Sequence, residues 1–203
     1  MDTAIMDETT TSRTQDLARA ISLVGHPFLV APCALYVLLW LDQKDPWIAA
    51  RWTLLCAGMV LAPALLYLRR KLVRKEFTDA DVSVREHRFG FYLFGGSCML
   101  ACAAVLILLH APRLLLAGMV TSLFALGMAV FLNRYWTKVS IHAGTLSGIA
   151  AALATFDWRL SMPVLLLALL VSWSRIRLGR HSAVQLLAGV LLGLISVALL
   201  FHP

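Results

Sequence analysis

Seven apolar runs, each close to the length of a membrane-crossing helix, alternate with short polar interruptions near residues 21–41, 48–68, 89–110, 114–132, 139–156, 160–174 and 183–201. A helix needs ~17–25 predominantly apolar residues to cross a bilayer. The pattern therefore predicts an all-α integral membrane helical bundle with six to seven transmembrane helices. The sixth run is short enough to begin at the interface. The first carries His26-Pro27 and Pro32, which predict a kink or a break. Residues 111–113 and 157–159 are very short connections, so the helices they join are antiparallel neighbours. Residues 1–20 are polar, rich in Thr and Asp, and read as a loose tail ahead of a single domain over 21–203.

Composition supports this class: 60% of the 203 residues are hydrophobic and only 14% are charged, a balance rare in soluble domains. Cys33, Cys56, Cys98 and Cys102 all lie in apolar runs and act as small hydrophobes rather than bridges. Charge then sorts the loops. With seven spans, one face holds Arg13, Arg19, Arg69, Arg70, Lys71, Arg74, Lys75, Arg85, Arg88, Arg134, Lys138, Arg175, Arg177 and Arg180. The other holds Lys44, Arg51, Arg113 and Arg159. Basic residues concentrate on the cytoplasmic side of membrane proteins, so the basic face is expected in the cytoplasm of a bacterial inner membrane. Membrane lipids are the expected partners, and nucleic acid is not.

Three polar segments on that face carry candidate chemistry: Thr78–Arg88, Lys138–Gly144 and Ser174–Gln185. The last sets arginines and a histidine at the junction of two apolar runs, where ionisable groups are costly and function is the default explanation. Arginine offers a rigid fork of donors suited to phosphate oxygens, and histidine serves as nucleophile or proton carrier near neutral pH. Alone, Arg175, Arg177 and Arg180 would read as anchors to lipid headgroups. Their occurrence with His181, Ser140 and His142 on one face turns the reading toward phosphate chemistry on a lipid. Asp79 and Asp81 read as a solvated helix cap or as partners of Arg85 and Arg88, with a magnesium site for a diphosphate as the alternative. His26 reads as a kink-associated polar residue, and His110 and His202 as interface residues. Gly144-x-x-x-Gly148 and Gly189-x-x-x-Gly193 predict close packing of the helices that follow His142 and His181.

The spacing Ser174-Arg175, five residues, His181 resembles the last motif of the type-2 phosphatidic acid phosphatase superfamily. Ser140-Ile141-His142 keeps the Ser and His of that family's Pro-Ser-Gly-His motif, and Arg85 or Arg88 stands for the arginine of its first motif. The resemblance covers roughly residues 75–195. It implies that His181 attacks phosphorus to form a phosphohistidine while His142 protonates the leaving oxygen. It also implies that Arg175 with Arg85 or Arg88 holds the phosphate oxygens, assisted by Ser140 and Lys138. No metal or cofactor is required. The implied substrate is a lipid phosphate or diphosphate, prenyl or glycerolipid.

Gln185 departs from the family, which has an Asp orienting the nucleophilic histidine. A Gln carbonyl can accept the ring N–H but cannot offset an imidazolium charge. Asp79 or Asp81 could supply a carboxylate from another segment, with Ser174 as a further supporting residue. The rival readings are a lipid phosphotransferase, a magnesium-dependent prenyltransferase and a catalytically silent lipid-binding protein.

Overall fold

A computed structural model of the protein describes the backbone of residues 2–82 and 84–201, and the side chains from residue 13 onward within those ranges. His202 lies outside the described residues. The chain folds as α1 (Asp2–Val24), α2 (Pro27–Gln43), α3 (Pro46–Cys56), α4 (Ala62–Val73), α5 (Arg85–Leu108), α6 (Arg113–Tyr135), α7 (Ile141–Ala154), α8 (Trp158–Arg177) and α9 (Ala183–Leu200). Among the described residues there is no strand.

Five helical segments are long and apolar enough to cross a membrane: Pro46–Val73, α5, α6, α8 and α9. A sixth arises if Arg13–Val24 and Pro27–Gln43, bent by 42° at their junction, count as one span. The break falls at the expected His26-Pro27. His26 caps α2 by accepting the Phe28 N–H at its Nδ1, and Pro27 occupies the first helical position, where no N–H is needed. Within Pro46–Val73, a π-helical turn at Ala57–Leu61 joins α3 to α4 just before Pro63. That wider turn accommodates a ring which cannot donate to the helix. The polar segment expected as a loose tail differs: it belongs to α1, whose sequence runs from Asp2 to Val24 without Gly or Pro. Uninterrupted residues of moderate helix propensity propagate a helix until Gly25 ends it.

The fifth apolar run is shorter than a span. Helix α7 has 14 residues, about 21 Å at 1.5 Å per residue, and it packs chiefly against α9 and α8 and also against α2. Its close partnership with α9 follows from glycine. Gly144 faces Gly189, and Gly148 faces Gly193, so the two helices run parallel at backbone contact. A methyl group on Gly189 would strike the Ser140 carbonyl, and one on Gly193 would strike the Gly144 carbonyl. Ser147 Oγ bonds across the seam to the Val190 carbonyl at 3.1 Å, and the Ser140 N–H bonds to the Gln185 carbonyl at 3.2 Å. Those bonds bring the N-termini of α7 and α9 together.

Gly193→Ala is therefore expected to destabilise the protein by about 1–3 kcal/mol through overpacking. Gly127→Ala in α6, where an added methyl meets nothing within 4 Å, should leave stability unchanged or slightly raised. Thermal unfolding of both variants in detergent checks the contrast.

Candidate functional site

One end of the bundle gathers the start of α5, the starts of α7 and α9, the end of α8 and the α1–α2 break. Each junction presents polar side chains for a local reason. Helix α8 stops at Gly179, whose φ of 65° is left-handed and suits a residue without Cβ. The turn folds back so that the Arg180 and His181 N–H groups both bond to the Arg175 carbonyl, at 2.9 and 3.3 Å. Ser182 then caps α9 in a reciprocal capping box with Gln185.

The capping box fixes the chemistry of His181. Gln185 Oε1 accepts the Ser182 N–H at 3.3 Å and lies 3.2 Å from His181 Nδ1. An oxygen there selects the Nδ1–H tautomer and leaves a lone pair on Nε2. Burial, followed by the charges of Arg175, Arg88 and Lys138, pushes the His181 pKa down to about 3. The imidazole is therefore neutral at physiological pH. In the same field, burial together with Arg88, Arg175 and Arg180 lowers the pKa of Lys138. Crowded cations that weaken one another's protonation are the electrostatic complement of an anion.

The candidate cations do not all share this place. Arg88 is 4% exposed, and its Nε and Nη1 donate to the carbonyls of Val82 and Val139, both at 2.9 Å. Arg85, three residues earlier, turns away. Its Nε bonds to the Asn133 carbonyl at 2.6 Å and its Nη2 to the Arg134 carbonyl at 3.2 Å, so it caps the end of α6. Arg175 is 1% exposed; its Nη1 donates to Ser22 Oγ at 2.9 Å and to Asp81 Oδ2 at 2.7 Å. The Arg175 Nε is buried with no hydrogen-bond partner among the described residues.

Both serines of the motifs serve the backbone. Ser140 is fully buried and caps α7 by accepting the Ala143 N–H, while Ser174 Oγ donates to the Val171 carbonyl at 2.8 Å. Asp79 shapes the loop before α5: its Oδ1 accepts the Asp81 N–H at 3.0 Å, and its Oδ2 lies 3.5 Å from Arg180. The aspartates therefore pair with Arg180 and Arg175 rather than with Arg85 and Arg88.

His142 is buried in the first turn of α7, and its Nε2 has no hydrogen-bond partner among the described residues. Among the described residues the nearest acidic oxygen is Asp81 Oδ1, at 3.9 Å. His181 and His142 are close enough for a charge on one ring to act on the other. Asp81 itself is half-buried. Burial opposes its charge, but the charge and hydrogen bond of Arg175, with His142 and His26, hold its pKa below the usual carboxylate value.

His26 was the least expected member. Its Nε2 lies 3.8 Å from Asp81 Oδ1, and its ring meets His142 edge-on at 5.1 Å. The sequence signal was present in the His-Pro pair, which reads as N-cap followed by first helical residue. A ligand-like trio results, since donor atoms of His26, Asp81 and His142 lie within 4.8 Å of one another. Protonation decides against a cation there. His26 Nδ1 accepts the Phe28 N–H, so a neutral ring carries its proton on Nε2 and offers no lone pair toward Asp81. The Arg175 guanidinium on the other Asp81 oxygen further disfavours a second cation. The trio is a pair of imidazoles set just beyond hydrogen-bond length around a carboxylate that Arg175 anchors.

An apolar groove between α6 and α9 leads away from this end, lined among others by Leu132, Trp136, Val184, Ala188, Leu191 and Ile195. No family model, curated protein or solved structure matches the chain.

Proposed function

We propose that the protein is an integral membrane lipid-phosphate phosphatase, acting on a prenyl or glycerolipid phosphate or diphosphate through a phosphohistidine on His181. The observation that carries this reading is a buried His181 whose Nδ1 lies 3.2 Å from Gln185 Oε1, within the field of Arg175, Arg88 and Lys138. A lone pair at Nε2 amid fixed cations is what attack on a phosphate dianion requires.

For a phosphomonoester, His181 Nε2 attacks phosphorus as the ester P–O bond breaks. His142, whose protonation burial and the Arg175 charge disfavour at rest, takes up a proton as the phosphate dianion enters and gives it to the departing alkoxide. The fixed cations offset charge spread over the equatorial oxygens. Water then attacks the phosphorus of the phosphohistidine while His142 takes back a proton. The P–N bond breaks, and inorganic phosphate leaves with His181 neutral again. The lipid chain lies in the α6–α9 groove, whose Val184 and Trp136 end adjoins the catalytic turn. The basic residues of this end favour a cytoplasmic site in a bacterial inner membrane.

Purified protein screened for phosphate release against prenyl and glycerolipid phosphates tests the reading. Release that persists with a chelator supports it, and no release from any candidate contradicts it. In the same screen, Leu191→Trp should fill the groove and lower kcat/KM for a long-chain phosphate roughly tenfold. A short water-soluble phosphate should be hydrolysed as before; equal loss on both substrates would remove the groove from the account.

A further inference from the structure

The two imidazoles need opposite properties. His181 must keep a lone pair, and a neutral amide suits it. His142 must carry a proton to the leaving oxygen and therefore passes through an imidazolium state. Extending the phosphatase reading, we infer that Asp81 is the positioning carboxylate for His142 as general acid, and that His26 holds Asp81 in place.

Four observations support the assignment. Asp81 Oδ1 is the acidic oxygen nearest the buried, unpartnered His142 Nε2, at 3.9 Å. This is somewhat beyond hydrogen-bond length, and catalytic hydrogen bonds commonly tighten only when substrate binds. Asp81 Oδ2 is anchored at 2.7 Å by the Arg175 guanidinium, which is itself nearly inaccessible. His26, its Nδ1 committed to the α2 cap, sets its Nε2 3.8 Å from the same Oδ1. The backbone is constrained as well: Val82, the next residue, has a φ of 48°, unfavourable for a β-branched side chain. Its carbonyl is held by Arg88 Nε at 2.9 Å, so the loop is fixed beside the site against a local conformational cost.

His142 is faced by Asp81 from the loop before α5, His26 from the α1–α2 break, Arg175 from α8 and His181 from the turn before α9. Asp81 is the one acid among these four. It supplies negative charge at the histidine that must bear a proton, while Gln185 leaves the nucleophile uncharged.

Proton donation matters for an alkoxide leaving group and hardly at all for a nitrophenolate, which separates this role from a structural one. The test compares Asp81→Asn with the intact protein on a prenyl phosphate and on p-nitrophenyl phosphate. We expect the phosphorylation step, read as first-turnover release of the alcohol or phenol, to slow about 10²-fold on the alkyl ester and less than about threefold on the aryl ester. Later turnovers should be slowed equally on both, because His142 also takes the proton of the attacking water. His142→Ala should show the same selectivity, and the double variant no further loss. Asp81→Glu should recover part of the alkyl-ester rate. ¹⁵N spectra of the histidines provide a readout independent of turnover: Asp81→Asn should change the His142 resonances and leave His181 in its Nδ1–H form. Equal first-turnover losses on both esters, or unchanged His142 resonances, would overturn the assignment. So would a gain in activity with lower KM, because Asp81 would then be competing for the phosphate position. Intact protein that releases phosphate from neither ester would instead overturn the phosphatase reading.

Discussion

His181→Ala is expected to abolish phosphate release while leaving the fold intact. The side chain is buried, and among the described residues its ring makes one hydrogen bond, with Gln185 Oε1. That oxygen keeps its second partner, the Ser182 N–H, so the capping box survives the substitution. Stability should therefore fall by only about 1 kcal/mol. The loss in kcat should be at least about 10⁴-fold, since removing a nucleophile disables every later step. His142→Ala should cost about 10²- to 10⁴-fold on alkyl esters, the usual worth of one positioned acid. Rates measured on detergent-solubilised variants with matched unfolding curves check both figures. A His181→Ala protein retaining a tenth of the intact rate would leave the imidazole outside the reaction.

Arg175→Ala should damage both stability and activity. Its guanidinium is almost fully buried and joins Ser22 of α1, the Asp81 loop and α8 through one nitrogen. Removing it leaves the Asp81 carboxylate beside two imidazoles without its main counter-charge. Breaking such a pair costs about 3–5 kcal/mol when fully buried. Asp81 retains some exposure, with 20% of its side chain accessible, so the lower end is expected. Arg175→Lys keeps the charge but loses the planar fork, and should recover stability better than activity. Adding Asp81→Ala to Arg175→Ala should recover much of the lost stability and none of the activity, because the stranded charge is gone while the phosphate ligand remains absent. Additive destabilisation in that cycle would show that the pair is not coupled.

Much of the framework was legible in the sequence because its causes are local. Apolar runs became helices, His26-Pro27 marked the α1–α2 break, and the paired glycine motifs marked the α7–α9 seam. The shortness of α7 was less legible, since flanking Val139 and Phe156 extend the apolar run beyond the helix itself. Within the site, the limit was rotation and tertiary pairing. Arg85 and Arg88 are the same residue type three positions apart, and only helix packing sends one to the α6 terminus and the other toward Val139. Asp81 could be named as a spare carboxylate, but its proximity to His142 rather than His181 depends on how the loop before α5 folds. Gln185, conspicuous against the motif that the sequence resembles, is the N3 residue of a capping box. Residue type alone could not distinguish that role from a catalytic one.

The central claim is covalent, and the most direct measurement is to trap the intermediate. The intact protein is quenched during turnover of a lipid phosphate carrying labelled phosphorus, and the labelled peptide is sequenced. The account predicts label on the peptide containing His181, stable in alkali and lost in acid as a phosphoramidate should be, and absent from His181→Ala. Label on another residue, or hydrolysis at full rate with no protein-bound phosphate at any quench time, would contradict it.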